Sequence, residues 1–266
     1  MPSLDPAQLL LLATAALVAG AVNAVAGGGS LLSFPALLAV GYPALTANVT
    51  NSVALTPGYL GGTVGYRREL AGQRARIVAL GATSATGAVV GAFLLLVSSA
   101  ALFERIVPLL IFVACGLLAA QPRLARLVRE RREGPGGEPA PPGRAGLDGH
   151  TVALFTAQFL AAIYGAYFGA GVGIMMLAIL GIFVADSLQR LNALKGLMSL
   201  LVAVVAAVAF ALFADVSWVA VAVMAAASLL GGQLGVVLAR RLNDQALRWL
   251  VIAFGVTVGV YLLVTR

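Results

Sequence analysis

The sequence predicts an all-α polytopic membrane protein made of two inverted repeats, each a glycine-broken helical hairpin plus three transmembrane helices. Three observations carry this prediction: apolar blocks near spanning length, glycine clusters at matched positions in two halves, and arginines gathered at block ends. Of the chain, 61% is hydrophobic and 10% charged, too little charge to coat a water-facing shell, for which a soluble domain uses roughly a quarter of its residues. The apolar residues fall in Leu9–Ala26, Ile77–Val97, Ile106–Ala120, Leu197–Phe213, Val219–Ala239 and Leu250–Val264. These blocks approach or exceed the roughly 20 residues a helix needs to cross about 30 Å of hydrocarbon. They do not alternate in steps of two, so they read as helices and not as barrel strands.

The net charge of +7 reflects basic residues lying between apolar blocks, as cytoplasmic loops require, and not a face suited to nucleic acid. One cysteine, Cys115, sits inside an apolar block and one histidine, His150, at a loop edge, so neither an intrachain disulfide nor a His/Cys metal cluster is expected. Residues Met1–Gln8 carry Asp5 and no Lys or Arg, so the first block is read as a retained helix and not as a cleaved signal.

Organisation follows from the one stretch unlike the rest. Residues 121–149 hold Arg123, Arg126, Arg129, Arg131, Arg132 and Arg144 around a Pro/Gly-rich run from Gly134 to Gly143. Arg123–Glu133 suit a continuing charged helix, and the rest suits a flexible linker. This divides the chain into a first transmembrane repeat over 1–120, a cytoplasmic linker over 121–149 and a second repeat over 150–266. A gapless shift of 144 positions sets Ala26-Gly27-Gly28-Gly29 on Ala170-Gly171-Val172-Gly173, and Asn48-Val49-Thr50-Asn51 on Asn192-Ala193-Leu194-Lys195.

Charge then orients the spans. Arg67, Arg68, Arg74 and Arg76 mark one cytoplasmic loop, the linker a second, and Arg240, Arg241 and Arg248 a third. Blocks 77–98 and 106–120 form one out-and-back pair, and 188–213 and 217–239 another. Residues 151–184 must begin and end in the cytoplasm, which a helix, a glycine break and the short helix Ile174–Val184 satisfy. In the first half, helix 46–66 must start outside, and Leu9–Ala26 with Leu31–Val40 form the matching hairpin entered from outside. The halves then run in opposite senses, as in many secondary transporters. Trp218 and Trp249 fall at block edges, as interfacial anchors do.

In hydrocarbon a helix breaks only where its freed backbone groups are satisfied. Glycines at 27–29 and at 169, 171 and 173 let the chain leave helical geometry, and the next helix then presents N–H groups at an end that favours anions. The plainer alternative is that these glycines only allow close helix packing. The candidate substrate ligands are Gly27, Gly28, Gly29, Ser30, Gly171 and Gly173 as backbone donors, and Asn48, Asn51 and Asn192 as side-chain partners. Lys195, the only lysine, either balances the charge of a bound anion or snorkels to the cytoplasmic interface beside Arg190. All ten acidic residues fall at ends or loops, so no buried carboxylate relay is visible. No nucleophile–histidine pair and no Walker-type loop is present, so enzymatic chemistry and a cofactor are not expected.

The residues also carry a resemblance. Gly20-Ala-Val-Asn-Ala-Val-Ala-Gly-Gly-Gly-Ser-Leu-Leu-Ser-Phe-Pro35, Gly41-Tyr-Pro43 and Ala47-Asn-Val-Thr-Asn51 resemble the first signature of the TauE/SafE sulfite exporter family. Ile163–Gly173 and Asn192–Lys195 resemble its second-half counterpart. The resemblance implies a multi-pass permease of a bacterial inner membrane, working mainly as an exporter of sulfite, a sulfonate or a related sulfur oxyanion. An importer, a permease for another anion such as a carboxylate, and a non-transporting membrane scaffold are the alternatives. A scaffold has no need of exposed helix ends facing each other at depth.

Overall fold

The computed structural model describes residues 4–25, 27–133, 149–238 and 244–264. The Pro/Gly-rich run from Gly134 to Gly143, Arg144, and the pair Arg240 and Arg241 lie outside the described residues, as does Ala26.

Ten helices are present among the described residues: α1 Pro6–Val25, α2 Ser30–Ala39, α3 Ala44–Gly65, α4 Arg74–Val97, α5 Ala100–Glu133, α6 Gly149–Tyr167, α7 Val172–Phe183, α8 Leu188–Phe213, α9 Trp218–Leu238 and α10 Asp244–Val264. The charged stretch Arg123–Glu133 does continue α5. Local chemistry sets the boundaries. Gly41, at φ +96°, ends α2, and Pro43 leads into α3. Gly72, at φ +78°, turns the chain into α4. Ser187 caps α8 by accepting the Arg190 N–H at 3.3 Å.

Five helices contain segments long and apolar enough to cross a membrane, over Pro6–Ala24, Arg74–Val97, Ala100–Ala120, Leu188–Phe213 and Trp218–Gly235. Their outer faces carry large apolar side chains without cover; Phe213 is 74% and Leu10 68% exposed. In water such a surface would be a liability, and in lipid it is the required one. The protein is a multi-pass membrane protein. Trp218 and Trp249 are both exposed and stand in the opening turns of α9 and α10.

The packing pattern occurs twice. Helix α1 lies along α9 as α6 lies along α4, and α3 lies against α9 as α8 lies against α4. Helix α2 touches α3 and α10, whereas α7 touches α8 and α5. Two further pairs, α3 with α8 and α5 with α10, join the halves. Small residues permit these close crossings: a Cβ on Gly231 would strike the Leu17 carbonyl oxygen on α1, and one on Gly91 would strike the Ile163 carbonyl oxygen on α6. Helix α3 differs from its neighbours. It buries Asn48, Thr50, Asn51 and Thr63, polar side chains suited to the interior of a bundle and not to lipid.

Candidate functional site

Two interruptions organise the centre of the bundle. Residues 26–29 separate α1 from α2, and 168–171 separate α6 from α7. Gly27, Gly169 and Gly171 adopt φ of +84°, +81° and +77°, a left-handed geometry that costs an L-residue and is free for glycine. The interruptions touch. A Cβ on Gly27 would stand 2.9 Å from Gly173 Cα, and one on Gly173 would stand 3.0 Å from Gly27 Cα. The same Gly173 Cβ would lie 3.7 Å and 3.8 Å from Lys195 Cδ and Cε. The aliphatic stem of the lysine therefore runs beside the contact between the two breaks.

A narrow chamber opens at this point, about 360 Å³ when the space open to its surroundings is counted. Its wall combines Asn23 and Ala24 of α1, Gly58, Tyr59, Gly62 and Thr63 of α3 with Tyr66 at its end, Gly173 of α7, and Asn192, Lys195, Gly196 and Ser199 of α8. A second cavity of about 360 Å³ shares Tyr59 and Ser199 with the first. It continues past Ser30, Ser52 and Leu55 to Phe168, Val172 and Val202, and is the more apolar of the two in its side chains. Tyr59 and Ser30 stand together in its wall.

Lys195 is 4% exposed. It does not snorkel to a surface. Among the described residues no carboxylate pairs with it. The acid nearest in sequence, Asp186, is held by Arg76 at 2.6 Å and Arg190 at 2.9 Å. Partial burial alone would push the Asp186 carboxyl up, but the Ser187 N–H and the guanidinium groups of Arg190 and Arg76 together hold it below the ordinary carboxylate value. Arg190 also donates to the Ala71 carbonyl at 3.0 Å, and Gln73 Nε2 donates to the Arg190 carbonyl at 3.3 Å. This network ties the loop after α3 to the first turn of α8.

The ten residues singled out from the sequence do not all meet. Gly173, Asn192 and Lys195 line the chamber, and Gly27 packs on Gly173. Ser30 lines the second cavity. Gly28 faces Leu118, Gly171 faces Ala114, and a Cβ on Gly29 would strike the Ala19 carbonyl oxygen. Asn48 and Asn51, one turn apart in the first half of α3, line neither cavity; Asn48 Nδ2 is engaged by the Tyr167 carbonyl at 2.9 Å. Two of the backbone donors expected to be free are also engaged: Gly27 N–H bonds the Val22 carbonyl at 3.0 Å and Gly29 N–H bonds Asn23 Oδ1 at 2.7 Å.

Asn23 is the residue that the sequence reading missed. It is 5% exposed, caps the first break through Oδ1, and has no partner for Nδ2 among the described residues. The available signal was a lone polar residue in the last turn of an apolar helix just ahead of three glycines, since buried polar groups in membranes have a task by default. Among the described residues no group of three or more His, Cys, Asp or Glu side chains is assembled for a metal.

Comparison with known proteins agrees with this architecture. The family model described as sulfite exporter TauE/SafE matches residues 12–262. A probable membrane transporter protein, ORF9, of a Sinorhizobium species is 24% identical over 255 residues, covering 96% of this chain and 92% of that protein. A probable membrane transporter protein of Haemophilus influenzae is 25% identical over 227 residues, covering 85% and 83% of the two chains. The probable membrane transporter protein YfcA of Escherichia coli K12 is 30% identical over 132 residues, 48% of each chain. No solved structure gives a significant match. With essentially its whole length under the family model, the chain belongs to the TauE/SafE sulfite exporter family of membrane transporters.

Proposed function

We propose that the protein is a secondary transporter that exports a small anion, sulfite, a sulfonate or a related sulfur oxyanion, across the inner membrane of a bacterium. The observation that carries the reading is Lys195, 4% exposed, in the wall of a chamber and without a carboxylate partner among the described residues. A buried ammonium without a counter-charge is costly in a membrane interior, and an anion entering the chamber supplies the missing charge. Asn192 and the Gly173 backbone stand on the same wall, Gly27 packs on Gly173 from the opposite half, and Ser30 lines the adjoining cavity. Asn48 and Asn51 lie away from both cavities on α3 and take a lesser part. The substrate named here follows from the family's description and from the fit of an oxyanion to N–H donors.

On this reading residues 1–120 and 150–266 are inverted repeats joined by a cytoplasmic linker over 121–149. The doubled packing pattern, with α1–α5 matching α6–α10 in order, supports that arrangement. So do the arginines flanking α4 and α8, which place one end of both helices on the same side. Alternating access by one repeat moving against the other around the chamber is the motion such a fold allows.

The test is uptake of labelled sulfite into proteoliposomes carrying the wild-type protein, Lys195→Gln or Asn51→Ala. Loss of the ammonium removes a charge-assisted partner, so Lys195→Gln should lower uptake about tenfold or more. Asn51→Ala, away from the chamber, should have the smaller effect. Equal uptake by wild type and Lys195→Gln would remove the lysine from the site, and wild-type uptake no faster than in empty liposomes would remove sulfite as the substrate.

A further inference from the structure

The structure assigns Asn23 as a determinant of charge selectivity, a donor whose orientation is fixed by the helix break that it caps; the assignment rests on the anion reading above. A free asparagine amide presents one acceptor and two donors and can turn over to suit a ligand of either sign. This one cannot. Its Oδ1 accepts the Gly29 N–H at 2.7 Å in a buried bond, and turning the amide over would set N–H against N–H. Nδ2 is therefore held in one sense, as a donor. It has no partner among the described residues, its residue is 5% exposed, and Asn23 lies in the wall of the chamber that Lys195 also lines.

Lys195 and Asn23, both buried in the wall of that chamber, thus both have only N–H donors left to offer. Two of the wall's hydroxyls are already spent as donors: Thr63 gives its proton to the Tyr59 carbonyl at 2.8 Å, and Ser199 gives its own to Met176 Sδ at 3.6 Å. A head group rich in acceptor oxygens satisfies Nδ2 and the ammonium together, whereas a cation or a donor-bearing head leaves both unpaired. An unmade bond to a buried group is what gives polar sites their discrimination. The first glycine break and the choice of ligand sign are in this way one device, since the Gly29 N–H that the break exposes is what locks the amide.

Asn23→Asp separates this role from simple capping. Its carboxylate accepts the Gly29 N–H as the amide does, but turns the other terminal atom from a donor into an acceptor in the wall that Lys195 also lines. Sulfite binding to the full-length protein in detergent, measured by calorimetry, is compared for wild type, Asn23→Asp, Asn23→Ala and Lys195→Gln. Asn23→Asp is expected to melt within a few degrees of wild type without ligand and to bind sulfite at least about thirtyfold more weakly, and Asn23→Ala about tenfold more weakly. If Lys195→Gln loses binding while Asn23→Asp binds within threefold of wild type, the assignment is overturned and the anion reading stands. If Lys195→Gln binds as wild type and Asn23→Asp does not, Asn23 is upheld and the lysine is not a ligand. If wild type binds neither sulfite nor methanesulfonate, both ideas fall. Should Asn23→Asp not fold, Asn23→Ala decides, with unchanged binding counting against the assignment.

Discussion

Replacing Gly27 and Gly173 by alanine, one at a time, probes the contact on which the centre of the bundle depends. The two substitutions add the same methyl group to the same interface but differ in backbone demand. At Gly27 the new Cβ would lie 2.9 Å from Gly173 Cα, and φ is +84°. Crowding against backbone costs about 1–3 kcal/mol, and forcing an L-residue into the left-handed region adds about 1–2 kcal/mol, giving roughly 2–5 kcal/mol. Gly173 stands in the first turn of α7 with no positive φ. Its Cβ would lie 3.0 Å from Gly27 Cα, so the crowding cost remains, but alanine recovers up to about 1 kcal/mol of helix propensity. The net is roughly 0–2 kcal/mol. Denaturant unfolding in mixed micelles, followed by the near-ultraviolet signal of Trp218 and Trp249, should rank wild type above Gly173→Ala and Gly173→Ala above Gly27→Ala. Because the two sites touch, the double variant should fall short of additivity. A Gly27→Ala protein as stable as wild type would show that the left-handed turn and the close approach are not features of the folded chain.

Two further expectations concern the periphery. Asp186 has its carboxyl held below the ordinary value, so its ion pairs stabilise the fold fully above the unfolded carboxylate pKa, near 4, and the contribution is lost as pH falls through the lower folded value. Asp186→Asn should therefore cost a measurable amount, under about 1 kcal/mol for such solvent-screened pairs, at pH 7, and the difference from wild type should close in acid; a difference that grew on acidification would contradict the assignment. Cys115 is buried, with its thiol directed at the Ile252 carbonyl and against Gly255, so a maleimide should label it only after unfolding, and rapid labelling of the native protein in micelles would mean that α5 and α10 separate there.

Much of the fold was legible because a bilayer leaves few solutions. Leu188–Phe213 emerges as one helix with the bounds that its apolar run suggests, and the breaks at 26–29 and 168–171 fall where glycine clusters replace helix formers. Local sequence decides these features. The site was legible only in part, and the reason is tertiary. Asn48 and Asn51 match Asn192 and Lys195 by position, yet Asn48 is engaged by the Tyr167 carbonyl at the end of α6 and Asn51 lines neither cavity, whereas the latter pair lines the chamber. Positions matched between the two halves meet different neighbours once side chains differ, and a sequence shift cannot say which of them borders a void. Asn23 escaped for the opposite reason. Its match in the second half is Tyr167, so a search for matched polar residues passes over it.

The chamber is a product of the whole chain and not of either signature. Its wall takes α1 and α3 from one half and α7 and α8 from the other, so neither half alone encloses Lys195. Beside the chamber the halves meet at Gly27 and Gly173, where a Cβ would crowd the facing backbone. On the proposals above, the glycines act less as the tips of two anion-binding helices than as the spacer that lets Lys195 of one half and Asn23 of the other share a wall. The proposed weight of recognition then moves from backbone donors, two of which are already engaged inside the first break, to these two side chains. A carrier arranged in this way gains its ligand preference from contacts that exist only while the halves are apposed. Rearranging the repeats would alter access to the chamber and its grip on the ligand together, which is the coupling that alternating access requires.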